Sequence, residues 1–442
     1  MTLLKLLFRN LRYFLKEHLL LSAGLLTSTA ILSSALIIGD SVDYSLKRIA
    51  SERLGETRHV LLAQERFFPS ALARKIEKEL KIPTAAVLLL EGTALNAGRT
   101  ATELQLCGVD TDFWAFGKSK LSQPGNNEVI INEVLAESLN LQTGDEFLIR
   151  IPNPGFVTKN STFVPDDENR IAVRMKVKAI AGPGDFGNFS LKSNQLTPQT
   201  IFFSLDVLSD LLFEGSFANL ILIAENRYST QELYQALQRS WSLEDINLSL
   251  RKLEKQAKTE LISDRVFIED TLLSILRETA FNPEPVLTYL VNGLVLGNKL
   301  TPYSFVSGLS DFPTEAPGPG EILLNTWLAE DLQAQIGDSI ELEYFVPESF
   351  RKLNTARVSF KVKDIIPLEG FARDSLLMPA FEGFSGVESC SDWETGIPVD
   401  YSSIRPKDEL WWSEHRGTPK AFIAYETARS LWGQEYGNST AL

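Results

Sequence analysis

The sequence predicts an α+β fold: one N-terminal transmembrane helix, then a tandem of two related α+β modules outside the membrane. Three observations predict it. The run Leu19 to Gly39, LLLSAGLLTSTAILSSALIIG, holds 21 residues without a charge, Pro, Asn or Gln. The segment before this run is short and basic, and the segment after it is long and acidic. Two stretches of the acidic part repeat one another.

At about 1.5 Å rise per residue, the uncharged run makes roughly 31 Å of helix, enough to cross a hydrocarbon core of about 30 Å. Lys5, Arg9, Arg12 and Lys16 against Glu17 give residues 1–39 a net charge of +3; the whole chain totals −14, so the remainder carries −17. A body that acidic argues against nucleic acid as a partner, since phosphates need Lys and Arg to neutralise them. It argues equally against the body lying flat on anionic lipid. Its simplest meaning is solubility. The chain's 442 residues, 44% of them hydrophobic, allow two or three domains with cores of their own.

Residues 1–18 read as a basic amphipathic helix. Leu4, Leu7, Phe8, Leu11, Phe14 and Leu15 fall at helical spacing, with the four cations on the other side. The positive-inside rule places this end in the cytoplasm. A cleaved signal peptide is the competing reading, with Ser33-Ser34-Ala35 as its cleavage site. Against cleavage, Leu36-Ile37-Ile38-Gly39 carries the apolar run past that site. Within residues 19–39, small residues such as Ser22, Ala23, Gly24, Thr27 and Ser28 predict close packing and cross-helix hydroxyl bonds to further spans. Beyond them, Asp40-Ser41-Val42-Asp43 reads as the cap of a separate stalk helix over 40–55, ending at Gly55.

The modules are read as 56–257 and 258–442. Glu128–Arg150 and Glu321–Glu343 align without gaps and share nine of 23 residues, among them Asn132/Asn325, Gly144/Gly337 and Asp145/Asp338. The pattern is a strand ending at an Asn that caps a helix, then a Gly-Asp turn into the next strand. VRMKVKAI (173–180) matches VSFKVKDI (358–365), and Thr197-Pro198 matches Thr418-Pro419. Helical patterns at Ser70–Leu80 and Glu269–Arg277 precede each set, and Thr230–Lys258 reads as a polar helical bridge. The second module holds 36 extra residues before its Thr-Pro, including Glu388–Trp393 and RPKDELWWSEHR (405–416). This insertion reads either as a partner-contact loop or as a loop pinned to its own module by Trp393, Trp411 and Trp412. FANLILI (217–223) reads as a strand whose counterpart begins at Tyr436-Gly437-Asn438 and is met only in part before Leu442.

No residues are assigned to catalysis, cofactor or metal. Gly117-Lys118-Ser119 has Asp112 where a phosphate loop needs Gly, and is read as chance. Gly182-Pro183-Gly184 and Gly318-Pro319-Gly320 are read as turns. His18, His59 and His415 lack zinc spacing. Asp166-Asp167-Glu168 and Asp408-Glu409 are read as solvated loop charges. Cys107 is read as a buried small hydrophobe and Cys390 as a loop residue, with a bridge between them left open.

This order of parts, with Gly39-Asp40-Ser41-Val42 entering the stalk and the unit Asn132 to Asp145, resembles the FtsX-like ABC transporter permeases with a MacB-like periplasmic core domain. The resemblance implies the amino-terminal part of a non-enzymatic permease subunit of the bacterial inner membrane. Its N-terminus is then cytoplasmic and its bulk periplasmic. It also implies a separate cytoplasmic ATPase that binds the ATP, and further membrane helices of the same permease or of its homodimer. Many family members transmit force across the membrane, here onto a lipid, lipoprotein, peptide or cell-wall partner. The alternative is a single-pass membrane-anchored periplasmic binding or scaffold protein. The tandem and the Trp-rich insertion depart from the single core of smaller members.

Overall fold

The computed structural model describes residues 3–63, 66–152, 170–192, 196–225, 227–253, 258–279, 281–347, 353–381, 383–384, 386–393, 397–434 and 437–442. The acidic triplet 166–168 lies outside them, as does Tyr436.

Two helices open the chain, α1 (Leu3–Tyr13) and α2 (Leu15–Leu54). The first module begins with β1 (Thr57–Leu62), β2 (Phe68–Pro69), α3 (Ala71–Leu80), β3 (Thr84–Asn96), β4 (Arg99–Val109) and α4 (Thr111–Phe116). It continues through β5 (Glu128–Asn132), α5 (Glu133–Leu139), β6 (Glu146–Pro152), β7 (Arg170–Ala181), β8 (Thr200–Ser204), α6 (Leu205–Asp210), β9 (Phe217–Ala218) and β10 (Leu220–Ala224). A connection holding α7 (Thr230–Ser240) and β11 (Leu248–Leu253) comes next. The second module contains β12 (Lys258–Ser263), α8 (Asp270–Arg277), β13 (Val286–Leu296), β14 (Lys299–Leu309), β15 (Glu321–Asn325) and α9 (Thr326–Leu332). Its remaining elements are β16 (Ser339–Pro347), β17 (Leu353–Ile366), α10 (Pro406–His415), β18 (Ala421–Ala424) and α11 (Tyr425–Trp432).

The two modules share one topology. Strands β3-β4-β8-β5-β7-β6 form a ring closed by pairing of β3 with β6, and β13-β14-β18-β15-β17-β16 form the matching barrel. Closure removes the unpaired edges that an open sheet of these apolar strands would present. Outside the first ring, β10 pairs with β3 and β1 pairs with β10. The second module repeats this with its last residues, because Ala441 bridges to Val286 on one side and Ile262 of β12 on the other. The strand expected after α11 is therefore present as a short bridge.

The repeat extends to single hydrogen bonds. Asn132 and Asn325 are fully buried at the ends of β5 and β15. Each side-chain oxygen accepts an N–H of the following helix, from Leu135 at 3.1 Å and from Leu328 at 2.8 Å. Each amide donates to the Pro carbonyl of the Thr-Pro pair, Pro198 at 2.7 Å and Pro419 at 3.3 Å. Gly144 and Gly337 both stand at φ +98°, where a side chain would be strained. The next residue's carboxylate then accepts Gln142 N–H and Gln335 N–H, both at 2.8 Å. One Asn thus joins a helix start to a neighbouring strand. Asn132→Ala should destabilise the first module by about 2–4 kcal/mol, since it loses a cap and strands buried backbone groups. Urea unfolding followed by circular dichroism would measure it.

Two expectations change. Residues 40–43 do not begin a helix: α2 runs unbroken through them, with Asp43 ion-paired to Lys47 at 2.7 Å. Extending an existing helix adds a bond per residue, whereas starting a new one costs nucleation, and nothing here breaks the chain. The bridge between modules is α-helical over Thr230–Ser240, where Ser229 and Glu232 form a capping box, makes a short 3-10 turn at Leu243–Ile246 and then becomes β11 paired with β12. Within the apolar run, Thr27 donates to Ala23 O at 2.6 Å, Thr29 to Leu25 O at 2.8 Å and Ser34 to Ile31 O at 2.9 Å.

Candidate coupling site between the apolar helix and the first barrel

Helix α2 is long and apolar enough to cross a membrane, and its apolar window is wholly exposed, with Leu25 69% and Leu36 70% accessible. At about 1.5 Å per residue its 40 residues reach about 60 Å, twice a hydrocarbon core, so its far end stands about 20 Å beyond the apolar run. Burial begins only there, at Arg53.

That end is seated rather than tethered. Gly55 N–H donates to Ser51 O and closes α2, and Glu56 N–H donates at 2.9 Å to Phe116 O, the last residue of α4. The Lys118 ammonium lies 2.7 Å from the Glu56 carboxylate and holds it below the ordinary carboxylate range. Arg58 folds back to donate to the carbonyls of Gly55 and Thr57. Gly55 has φ +53°, and a Cβ there would lie 2.4 Å from Phe116 O and 3.0 Å from the Phe186 ring. Only glycine lets the helix end approach so closely.

The seat is an aromatic block. Phe113 meets Phe186, Phe189 and Trp114 with ring centroids 4.9, 5.2 and 5.3 Å apart, and Trp114 meets Phe202 at 5.1 Å. All five are buried, and such pairs add roughly 0.5–1.5 kcal/mol each beyond their area. Phe202 belongs to β8 and Phe113 to α4, so the block ties the seat to the barrel wall. Gly117 is needed for the fit, since a Cβ on it would fall 2.2 Å from the Phe186 Cβ.

Residues read as a chance match and as a turn therefore gather here. Gly117-Lys118 forms the rim that receives α2, and Gly182-Pro183-Gly184 leads into Phe186. The sequence reading missed Phe113, Phe186 and Phe189 as a unit. The clustering of Phe113-Trp114, Phe116, Phe186 and Phe189 beside glycines was the available signal.

The other singled-out residues lie elsewhere. His18 is on exposed α2, His59 in β1, and His415 packs 4.5 Å from Trp411. Among the described residues, no three of His, Cys, Asp and Glu gather as a metal site. Cys107 and Cys390 are both free and buried, one in each module, with burial pushing each thiol up to about 12. Asp408 and Glu409 are not solvated loop charges. They lie in α10, where Arg405 binds Asp408 through two bonds of 2.7 and 2.8 Å and Glu409 accepts Cys390 N–H at 3.0 Å. The insertion's tryptophans point inward: Trp393, Trp411 and Trp412 are each 4% exposed. The sequence could not show that Trp411, with Trp327 of α9, covers Lys420, whose ammonium sits 4.3 Å from the Trp327 ring and 5.5 Å from Trp411.

No family model and no curated protein matches this sequence. Among the solved structures it resembles are two transporter domains. The chain is similar to the periplasmic region of MacB. That protein, from Actinobacillus actinomycetemcomitans, is 10% identical over 48% of this chain and 84% of its own, with a TM-score of 0.26. The extracellular domain of the noncanonic ABC-type transporter YknZ from Gram-positive bacteria is 11% identical over 38% of this chain and 78% of its own, also at 0.26. Likenesses of that depth assign no activity.

Proposed function

We propose that this chain is the amino-terminal part of an ABC transporter permease, with α1 in the cytoplasm, α2 across the inner membrane and both barrels outside it. In this reading a separate cytoplasmic ATPase binds and hydrolyses ATP, and α2 carries the resulting movement to the barrels. The barrels then act on a lipid, lipoprotein, peptide or cell-wall partner. One observation carries the proposal: α2 is unbroken from the apolar run to its seat on Phe116 and Phe186. A simple anchor needs no such rod, because a flexible linker would hold a domain to the membrane equally well. A rod locked at its outer end by glycine-only approaches converts a tilt in the membrane into displacement of the barrel.

The test combines recovery and exchange. Purification of the full protein from native membranes should bring an ATPase with it, and ATP should change amide exchange at Glu56–Leu62. Val42→Pro lies in α2 beyond the apolar run and kinks a helix at about 3 kcal/mol. It should leave the ATPase bound yet abolish the nucleotide response. Repeated recovery without an ATPase would instead favour the anchored scaffold.

A further inference from the structure

The opening helices carry a second feature that the coupling site does not use. Helix α1 ends at Tyr13, and the chain turns at Phe14 (φ −100°, ψ 29°) into α2. Against this elbow lies a cleft of about 390 Å³ lined by Lys5, Phe8, Arg9, Leu11 and Arg12 of α1 and by Leu15 of α2. Lys5, Arg9 and Arg12 are spaced by four and three residues, so one helix face brings them together. The one carboxylate within residues 1–39 is Glu17, which does not line the cleft. Three cations thus share a cleft with three apolar side chains.

The cleft's depth selects its occupant. Leu15 precedes the apolar run by four residues, about 6 Å along α2. A headgroup layer is about 5–8 Å thick on each side of the hydrocarbon. Leu15 therefore lies at headgroup depth, and the three cations that share its cleft are within reach of lipid phosphates, with Phe8 and Leu11 beside them. We infer that the α1–α2 elbow is a binding site for one anionic phospholipid, its phosphate held by Lys5, Arg9 and Arg12 and its upper acyl chain by Phe8, Leu11 and Leu15. The inference rests on α2 crossing the membrane and is independent of any ATPase.

The test uses the full chain in nanodiscs of equimolar phosphatidylglycerol and phosphatidylcholine, with retained lipid counted by native mass spectrometry. Phosphatidylglycerol should be retained in preference to phosphatidylcholine. Each cation near an anionic surface contributes about fivefold, so the variant K5Q/R9Q/R12Q should bind phosphatidylglycerol roughly a hundredfold more weakly. Arg9→Gln and Lys16→Gln each remove one positive charge, but only Arg9 lines the cleft. Loss with Arg9→Gln alone supports the site, and equal loss with both overturns it in favour of diffuse attraction. Equal retention of the two lipids also overturns it. So does a triple variant that keeps its lipid and loses a bound ATPase, which would make the cleft a protein-docking surface. Carbonate extraction of the wild-type chain separates the failures. A chain washed from the membrane removes the spanning reading and the site together, whereas an inserted chain without lipid preference removes the site alone.

Discussion

Gly55→Ala should unseat α2 from the first barrel, weakening the junction by about 2–4 kcal/mol. Two costs add. The backbone stands at φ +53°, which a residue with a Cβ adopts only with strain, and the new Cβ would lie 2.4 Å from Phe116 O. That oxygen cannot move away freely, because it accepts Glu56 N–H at 2.9 Å and belongs to a residue only 3% exposed. The cost falls on the contact between helix and barrel, so the strand ladders beyond β1 should keep their protection. Hydrogen exchange would read the effect as faster amides over Glu56–Leu62. Gly184→Ala is the control, since it lies in the neighbouring turn and a Cβ on it meets nothing within 4 Å. Unchanged exchange in Gly55→Ala would mean that the seat is loose in solution, and the rod would then have nothing to push against. If the proposed ATPase partner is recovered, the same variant should keep it and lose the response of the barrel to ATP.

Much of this architecture was legible because it rests on local grammar repeated twice. A strand that ends at Asn, a helix and a Gly-Asp turn are each written in a few adjacent residues, and the second copy removes coincidence. The membrane-crossing length of α2 was legible for the same reason. Ring closure was not, because pairing of β3 with β6 joins residues far apart in sequence and leaves no short-range mark. Residues 40–54 are helical as read, but the helix was given a false start, since Asp40-Ser41-Val42-Asp43 has capping chemistry and no reason to stop the helix before it. The seat was hidden because its parts come from residues 55–56, 113–118 and 186–189, and each read alone as a turn or a core aromatic. Asp408 looked like a surface charge because its partner Arg405 also looked like one. Burial, which sequence does not display, makes the pair structural.

Lys420→Met should stabilise the second module at pH 6 by about 1–4 kcal/mol, with the gain shrinking as pH rises. The Lys420 side chain is 3% exposed, and burial pushes its amine from 10.5 down to about 7. Asp408, 3.9 Å away, pulls the other way, and Arg405 adds to the fall. Below about pH 7 both folded and unfolded chains carry the proton, so the folded state bears the full penalty of a buried charge. Between about 7 and 10.5 the unfolded chain binds the proton while the folded one has released it. Unfolding then takes up a proton, so the Lys420 contribution to wild-type stability rises with pH across this window. Methionine removes the ionisation while filling a similar volume, and Asp408 is not orphaned because Arg405 still binds it through two bonds. The buried thiol of Cys390, pushed up to about 12, lowers stability above about pH 9, where the unfolded thiol ionises and the folded one does not, but it does so in variant and wild type alike. Five of the seven tryptophans, Trp327, Trp393, Trp411, Trp412 and Trp432, lie in this module, so fluorescence-monitored urea unfolding at pH 6, 8 and 10 would report on it. Equal midpoints for variant and wild type at pH 6 would show that the amine is already neutral there. A variant weaker by the same amount at every pH would show that contact with the Trp327 and Trp411 rings outweighs the cost of burying the charge.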